Sequence, residues 1–509
     1  MRRTISLVTT ALLMAALAAC SDDEDTPERA ASVAPSPSAT VTGQPPAQTR
    51  VVDAAGDLLQ MSVGPLVRSG TAVVLTVQTR LDKSGSGGAS VLSRHFSTLL
   101  TNSFDAARLV DEGGRRVFLV SKGLDGSRCV CTGAVRFEVG ETRHLQAVFG
   151  GVPAGVERLS VMLPYAGVFT DVPVVDGDVP LPPGEGTKAG GVQDPLDPST
   201  AAPAFAGSLD SYTERLDVAL RTRRTAEQVD ISLATDVLFR LDSAELTPGA
   251  GRSIAAAVAD LRAAGPGPLT VTGHTDSTGS TAHNQTLSQQ RARAVAGALR
   301  KSLPDGEWPK TVAAEGERKP TVPNDSAAHR AINRRVAITY RAHAQAAATP
   351  APAEAVLPKT AGKQGRAPDG VEVAMPLNRG TIRFVPGPAT VRGPFLLVSL
   401  IARNAGDTKA TILDFLGQGV FTVRDEFDPY ARYGTAGVRL LHGDTAAYGL
   451  DYESSPGAHR CLCDRILSKA IPPGSEQVLS LWFPAPPPGT ATVALDIPDR
   501  LRITGIPVS

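Results

Sequence analysis

Between Leu269 and Ala292 the chain reads LTVTGHTDSTGSTAHNQTLSQQRA. An alternating apolar run (Leu269, Val271) ends in Gly273-His274-Thr275-Asp276, a polar loop follows, and a helix is expected to open near Asn284. This order of strand, loop and helix puts an acid at a strand end and Arg291 about two turns into the helix. A carboxylate and a guanidinium on either side of one loop suit a zwitterion. The carboxylate takes an ammonium, and the arginine fork takes a carboxylate through two parallel hydrogen bonds. Spacing alone does not bring the two groups together.

The rest of the chain reads as further modules. Its 509 residues suffice for about three domains. Lys+Arg and Asp+Glu both number 51, so there is no basic excess and a nucleic-acid partner is not expected. Low aromatic content with abundant Gly and Pro points to strand-rich domains and loose linkers. Arg2 and Arg3 precede a short apolar run, Ile5 to Ala19, too short for a membrane span and ending in small residues. Leu17-Ala18-Ala19-Cys20 resembles the lipobox of bacterial lipoproteins. Residues 1–19 are then a signal peptide, with Cys20 lipidated and holding the protein to an extracytoplasmic face of the cell membrane or outer membrane. The alternative is a plain secretory signal with Cys20 incidental. Residues 20–50, poor in large apolar side chains, read as a disordered tether.

Residues 51–185 show short strands, such as Thr71–Val77, Arg116–Val120 and Leu159–Leu163, and predict a β-sandwich of immunoglobulin-like type. Residues 186–207 and 346–368 read as Gly/Pro/Ala linkers. The central domain, 208–345, alternates strands and helices: an α/β (α+β) unit with helices on one side of a sheet. Within it Thr247 predicts an N-cap, with Pro248 at the first helical position. Residues 369–509 look like a copy of the first sandwich, because Arg128-Cys129-Val130-Cys131 matches Arg460-Cys461-Leu462-Cys463. In a strand, residues i and i+2 share a face. Three readings of each Cys-x-Cys stay open: a disulfide within the pair, given a local bend; a thiolate site for a soft metal; or free thiols and cross-links between domains.

The blocks Gly273-His274-Thr275-Asp276, Asn284-x-x-Leu-Ser-x-x-Arg-Ala292 and Asn333-Arg-Arg-Val336, with Phe239-x-x-Asp-Ser243 ahead of them, resemble the OmpA C-terminal domain shared with the Pal lipoproteins. The resemblance covers about residues 226–345. It implies non-covalent binding of peptidoglycan without cleavage. It assigns Asp276 to the ammonium of diaminopimelate in the stem peptide and Arg291 to the adjacent carboxylate. Thr275, Asn284, Leu287 and Arg335 match further positions around that pocket. Asn284 reads equally as a helix N-cap, Arg335 as a surface charge, Phe239 as core, and His274 as structural. No nucleophile, metal set or cofactor motif stands out, so no enzyme is expected. The expected protein is a lipid-anchored envelope component tethering membrane to peptidoglycan, with envelope proteins as further partners. The alternative places function in the Cys-x-Cys sandwiches, as protein-recruiting or metal- or redox-sensing modules, with the central domain only localising them.

Overall fold

The computed structural model describes residues 47–85, 90–91, 95–98, 103–126, 128–179, 196–217, 219–341, 357–424, 426, 428, 431, 433–455, 458–464 and 470–509. The expected signal peptide, Cys20, nearly all of the expected tether and residues 186–195 and 346–356 of the two expected linkers lie outside them. No described helix is long and apolar enough to cross a membrane.

Outside the central domain the chain is sheet-rich. Near the amino terminus Gln48–Ala54, Asp57–Val63, Ala72–Lys83 and Thr142–Gly150 pair antiparallel in that order. Arg116–Leu119 pairs with Arg108–Asp111, then Arg158–Leu163, then Gly167–Asp176. Alternation along these strands sends Leu59, Leu75, Phe118, Phe149, Val161 and Phe169 into one core. Near the carboxyl terminus the same succession recurs. Val371–Ala374, Thr381–Arg392, Phe395–Asn404 and Glu476–Pro484 form one antiparallel series. Thr445–Tyr448, Arg439–His442, Thr492–Ile497 and Leu501–Pro507 form the other. Phe384, Leu400, Leu440, Phe483 and Leu495 fill the core between them.

One difference between the two modules lies in a parallel strand. The final strand of each has a parallel partner. In the first copy that partner is Leu66–Ser69, taken from between the second and third strands. In the second it is Lys363–Arg366, taken from ahead of the first strand. Lys363–Arg366 therefore belongs to a sheet and not to the linker predicted at 346–368. Its polar sequence hides it, since three of its four residues are exposed.

The central domain contains β1 (Ala206–Arg215), β2 (Leu220–Arg224), β3 (Gln228–Ala234), α1 (Thr235–Leu238), α2 (Ala250–Ala264), β4 (Leu269–His274), α3 (Thr281–Arg300), β5 (Lys310–Gly316), α4 (Ala327–Asn333) and β6 (Arg335–Arg341). The sheet order is β1-β2-β3-β6-β4-β5, antiparallel except for β4 with β5. Ile254, Val258 and Leu261 of α2 share one face and are buried, with Val295 and Leu299 of α3, against Ile231, Val271 and Ile338. Helix α2 starts later than predicted: Gly249 is its N-cap residue, and the Thr247 hydroxyl instead donates to Val237 O at 2.9 Å.

Strand β1 overturns the boundary predicted between linker and central domain. Ala206, Gly207 and Ser208 pair with Phe118, Val117 and Arg116 of the first module. Leu209 and Asp210 pair with Tyr452 and Asp451, and Thr213 to Arg215 with Ala447 to Thr445, of the last. Ser211 to Glu214 pair with β2. One strand thus hydrogen-bonds to all three modules, and the linker predicted at 186–207 ends in ordered chain: a short 3-10 turn at Pro198–Thr200, then β1.

Candidate functional site

Strand β4 and helix α3 meet at Gly273. A Cβ there would lie 1.9 Å from Ser288 O, so only glycine lets the helix backbone come this close. Three residues beyond Gly273 the chain carries Asp276, and three beyond Ser288 it carries Arg291. The close approach therefore fixes the spacing of the two charges.

The loop Thr275–Ser280 ends in a cap: Ser280 Oγ accepts His283 N–H, and α3 begins at Thr281. Asn284, weighed as an N-cap, is instead a buried residue in the first turn. Its Nδ2 donates to Asp276 O at 3.3 Å and to Glu317 Oε2 at 2.6 Å, tying loop to helix. Thr275 is buried, its N–H bonded to Gly316 O and its Oγ1 without a partner. Leu287 is buried on the inner face of α3.

Asp276 is 7% exposed. Its Oδ1 accepts the Thr278 N–H at 2.9 Å, and its Oδ2 accepts Arg334 Nη1 at 2.6 Å. Burial pushes its pKa up, but the bonds from Arg334 and Thr278 outweigh burial and hold it below the usual carboxylate range. Arg334 also clamps Asp236, Nε to Oδ1 at 2.8 Å and Nη2 to Oδ2 at 2.5 Å. These bonds, that to Asp236 first, raise the arginine's pKa.

Arg291 is 5% exposed. Its Nε donates to Ser243 O at 2.9 Å, and its guanidinium carbon lies 5.4 Å from the Phe239 ring centroid. Burial lowers its pKa against the pull of Asp236 and Asp242, yet an arginine stays charged. Among the described residues its two Nη atoms have no hydrogen-bond partner and it makes no ion pair. Asp276 and Arg291 are thus separate charges, with no ion pair between them among the described residues. The ion pair at this loop is Asp276–Arg334.

Arg335 does not join this group. It opens β6 opposite Ala234, and its guanidinium donates to Asn333 O and Lys319 O, both at 3.3 Å. The residue at Asp276 is its neighbour, Arg334. Two adjacent arginines point to opposite sides at a strand start, and the motif alone does not say which side holds the loop. Arg334, Asp236 and Glu317 went unpredicted. The signal that finds Arg334 is the end of α4, where it is the C-cap residue.

We expect Arg334→Ala to weaken ligand binding about tenfold, roughly 1.4 kcal/mol, and to shift the acid limb of binding to higher pH because Asp276 loses its main donor. Arg335→Ala should stay within about twofold of wild type. Binding isotherms across pH separate the two variants, and equal losses would reject this assignment.

His274 is buried beside Asp276 with Nδ1 unpartnered, and burial, then Arg335, lowers its pKa from 6.5 to about 3. It is neutral and structural. The unfolded chain binds this proton near pH 6.5 and the folded chain does not. Stability should therefore fall as pH drops from about 6.5 towards 3, by up to ~1.4 kcal/mol per pH unit. Urea unfolding of His274→Gln should show a shallower acid loss; an unchanged slope would refute this.

Among the described residues no three His, Cys, Asp or Glu side chains are grouped as metal ligands would be. Both Cys-x-Cys stretches carry internal disulfides, Cys129–Cys131 and Cys461–Cys463, with Cα atoms 5.3 and 5.2 Å apart. That is shorter than the ~6.6 Å of a fully extended i,i+2 pair, so the backbone bends at both.

Residues 238–334 match the model of the OmpA family. Outer membrane porin F of Pseudomonas fluorescens is 38% identical over 118 residues, which is 23% of this chain and 35% of the porin. Probable lipoprotein YiaD of Escherichia coli (strain K12) is 34% identical over 116 residues, 23% of this chain and 52% of that protein. This chain therefore spans about a third to a half of the length of these relatives. Among solved structures, the cell wall anchor of the T6SS from Pseudomonas aeruginosa is 28% identical, covering 25% of this chain and 89% of that one, with a TM-score of 0.23. A putative MotB-like protein from Desulfovibrio vulgaris is 26% identical, covering 24% and 77%, with a TM-score of 0.21.

Proposed function

We propose, from the OmpA family domain at residues 238–334, that this chain binds peptidoglycan non-covalently by gripping the zwitterionic end of diaminopimelate in the stem peptide. The observation that carries this reading is Arg291: a nearly buried guanidinium whose terminal nitrogens have no hydrogen-bond partner among the described residues. Such a fork suits a carboxylate. Asp276, held ionised by Arg334, takes the ammonium across the loop. Thr275 Oγ1, buried without a partner, is a further donor at the rim. Recognition of this kind needs no bond to break, so the protein acts as an anchor and not as an enzyme.

In the same reading Cys20 carries the lipid, residues 20–50 form the tether, and the protein sits on the extracytoplasmic face of an envelope membrane, linking it to the wall. The flanking modules are immunoglobulin-like sandwiches that present surfaces to other envelope proteins. The test is co-sedimentation of the chain from residue 21 onward with purified peptidoglycan, with free diaminopimelate as competitor. Sedimentation that diaminopimelate does not reduce would remove the zwitterion from the proposal, and no sedimentation would remove wall binding. For the anchor, detergent-phase partitioning of the full precursor expressed in a bacterium should be lost in Cys20→Ala; if it persists, the lipid reading fails.

A further inference from the structure

Arg334 stands between two carboxylates and serves them unequally. To Asp236 it gives two parallel bonds, Nε to Oδ1 at 2.8 Å and Nη2 to Oδ2 at 2.5 Å. To Asp276 it gives one, Nη1 to Oδ2 at 2.6 Å. The bidentate partner of this arginine is therefore Asp236 and not the loop carboxylate. Backbone pairing sets this up. Ala234 of β3 lies opposite Arg335 of β6, and the Thr235 N–H donates to Arg334 O at 3.0 Å. The next residue, Asp236, sits in the first turn of α1 and so comes beside the arginine. Its side chain is half exposed, and an ion pair so open to water adds little to stability. The fold alone gives small reason for it.

The reason lies in the charge that a ligand meets. Asp276 with Arg334 alone is a closed pair of zero net charge. An ammonium brought to it would meet the guanidinium as a like charge. Asp236 takes up that guanidinium and leaves Asp276 its negative charge. It also acts at the other end of the site: of the carboxylates that pull on Arg291 it is the strongest, ahead of Asp242, and it opposes an anion arriving there. Two carboxylates, Asp236 and Asp276, then balance two guanidiniums, Arg291 and Arg334, as befits a zwitterion. Without Asp236 the balance moves by one positive charge, towards a plain carboxylate. The other charged groups of the rim are engaged elsewhere. Asp242 pairs with His283 at 2.7 Å, and Glu317 accepts the Asn284 amide and the Thr281 hydroxyl.

We propose that Asp236 is the specificity-determining residue of this site: it selects a zwitterion over a plain carboxylate by occupying Arg334 in place of Asp276. The inference rests on the peptidoglycan reading above. Asp236 acts through Arg334 and Arg291 and is a positioning residue, with no contact to the ligand required of it.

The test is co-sedimentation of the chain from residue 21 onward with two forms of purified peptidoglycan, native and treated with acetic anhydride. Acetylation turns each free ammonium into a neutral amide and leaves the carboxylates. Wild type should prefer the native wall. In Asp236→Asn that preference should fall about fivefold, the scale of one half-exposed charge, through weaker binding to the native wall and unchanged or tighter binding to the acetylated one. Asp236→Glu should restore most of it. If wild type does not distinguish the two walls, the ammonium reading itself fails and this inference fails with it. If wild type distinguishes them and Asp236→Asn does so equally well, the inference alone is overturned. Equal losses on both walls also overturn it, since Asp236 would then only prop the arginine.

Discussion

Asp276→Ala and Arg291→Ala are each expected to abolish sedimentation with peptidoglycan while leaving the chain folded. Each removes a charge-assisted contact from one end of a zwitterion, and truncating one partner of such a desolvated pair costs about 2–5 kcal/mol. That is on the order of 10²-fold or more in affinity. Neither variant leaves a gross defect behind. In Asp276→Ala, Arg334 keeps its two bonds to Asp236. In Arg291→Ala, the loss within the fold is one bond to Ser243 O and the cover over Phe239. Asp276→Asn sharpens the result: the amide can still accept the Thr278 N–H, but it carries no charge. Binding to peptidoglycan and urea midpoints, measured on the same samples, decide the matter. If Asp276→Asn binds like wild type, charge at this position does not carry recognition, and the residue serves only to shape the loop.

The strand, loop and helix at the site were legible because each is specified locally. Alternation marks β4, the glycine and polar residues mark the loop, and Leu287, Val295 and Leu299 mark the buried stripe of α3. The helix start was misplaced by three residues, since Ser280 is as good a cap as Asn284 and only the fold shows which one meets the open N–H groups. Arg334 was missed for a related reason. Motif spacing gives the pair of arginines, while the end of α4 and the start of β6 decide which of them turns towards Asp276. The Cys-x-Cys blocks suggested two like modules, and the strand order recurs in both. Their difference was not legible, because Lys363–Arg366 has no apolar pattern and is a strand only through its pairing with Leu501–Pro507. Strand β1 is the deeper case. It looks like the end of a linker followed by part of a domain, and its partners lie about 90 and 240 residues away. Pairing at that distance leaves no periodic trace in the strand itself.

Gly273→Ala carries the largest effect from the smallest change. The added carbon would lie 1.9 Å from Ser288 O and 2.6 Å from Ser288 C, both backbone atoms of α3. No side chain can rotate away to relieve this contact, so the helix and the strand must separate. Overpacking of this kind costs about 1–3 kcal/mol and sometimes more, and a backbone clash belongs at the upper end. The functional loss should exceed the loss of stability. Asp276 and Arg291, each three residues from the contact, keep their identity but lose their spacing, and a shift of about 1 Å in a bidentate site costs on the order of tenfold or more. The expected variant is folded at moderate temperature, has a lower urea midpoint, and binds peptidoglycan weakly although every charged residue of the site is present. If Gly273→Ala keeps both the wild-type midpoint and wild-type binding, the approach of α3 to β4 is not what spaces the two charges. The clamp would then have to be set by the Asn284 and Glu317 bonds alone.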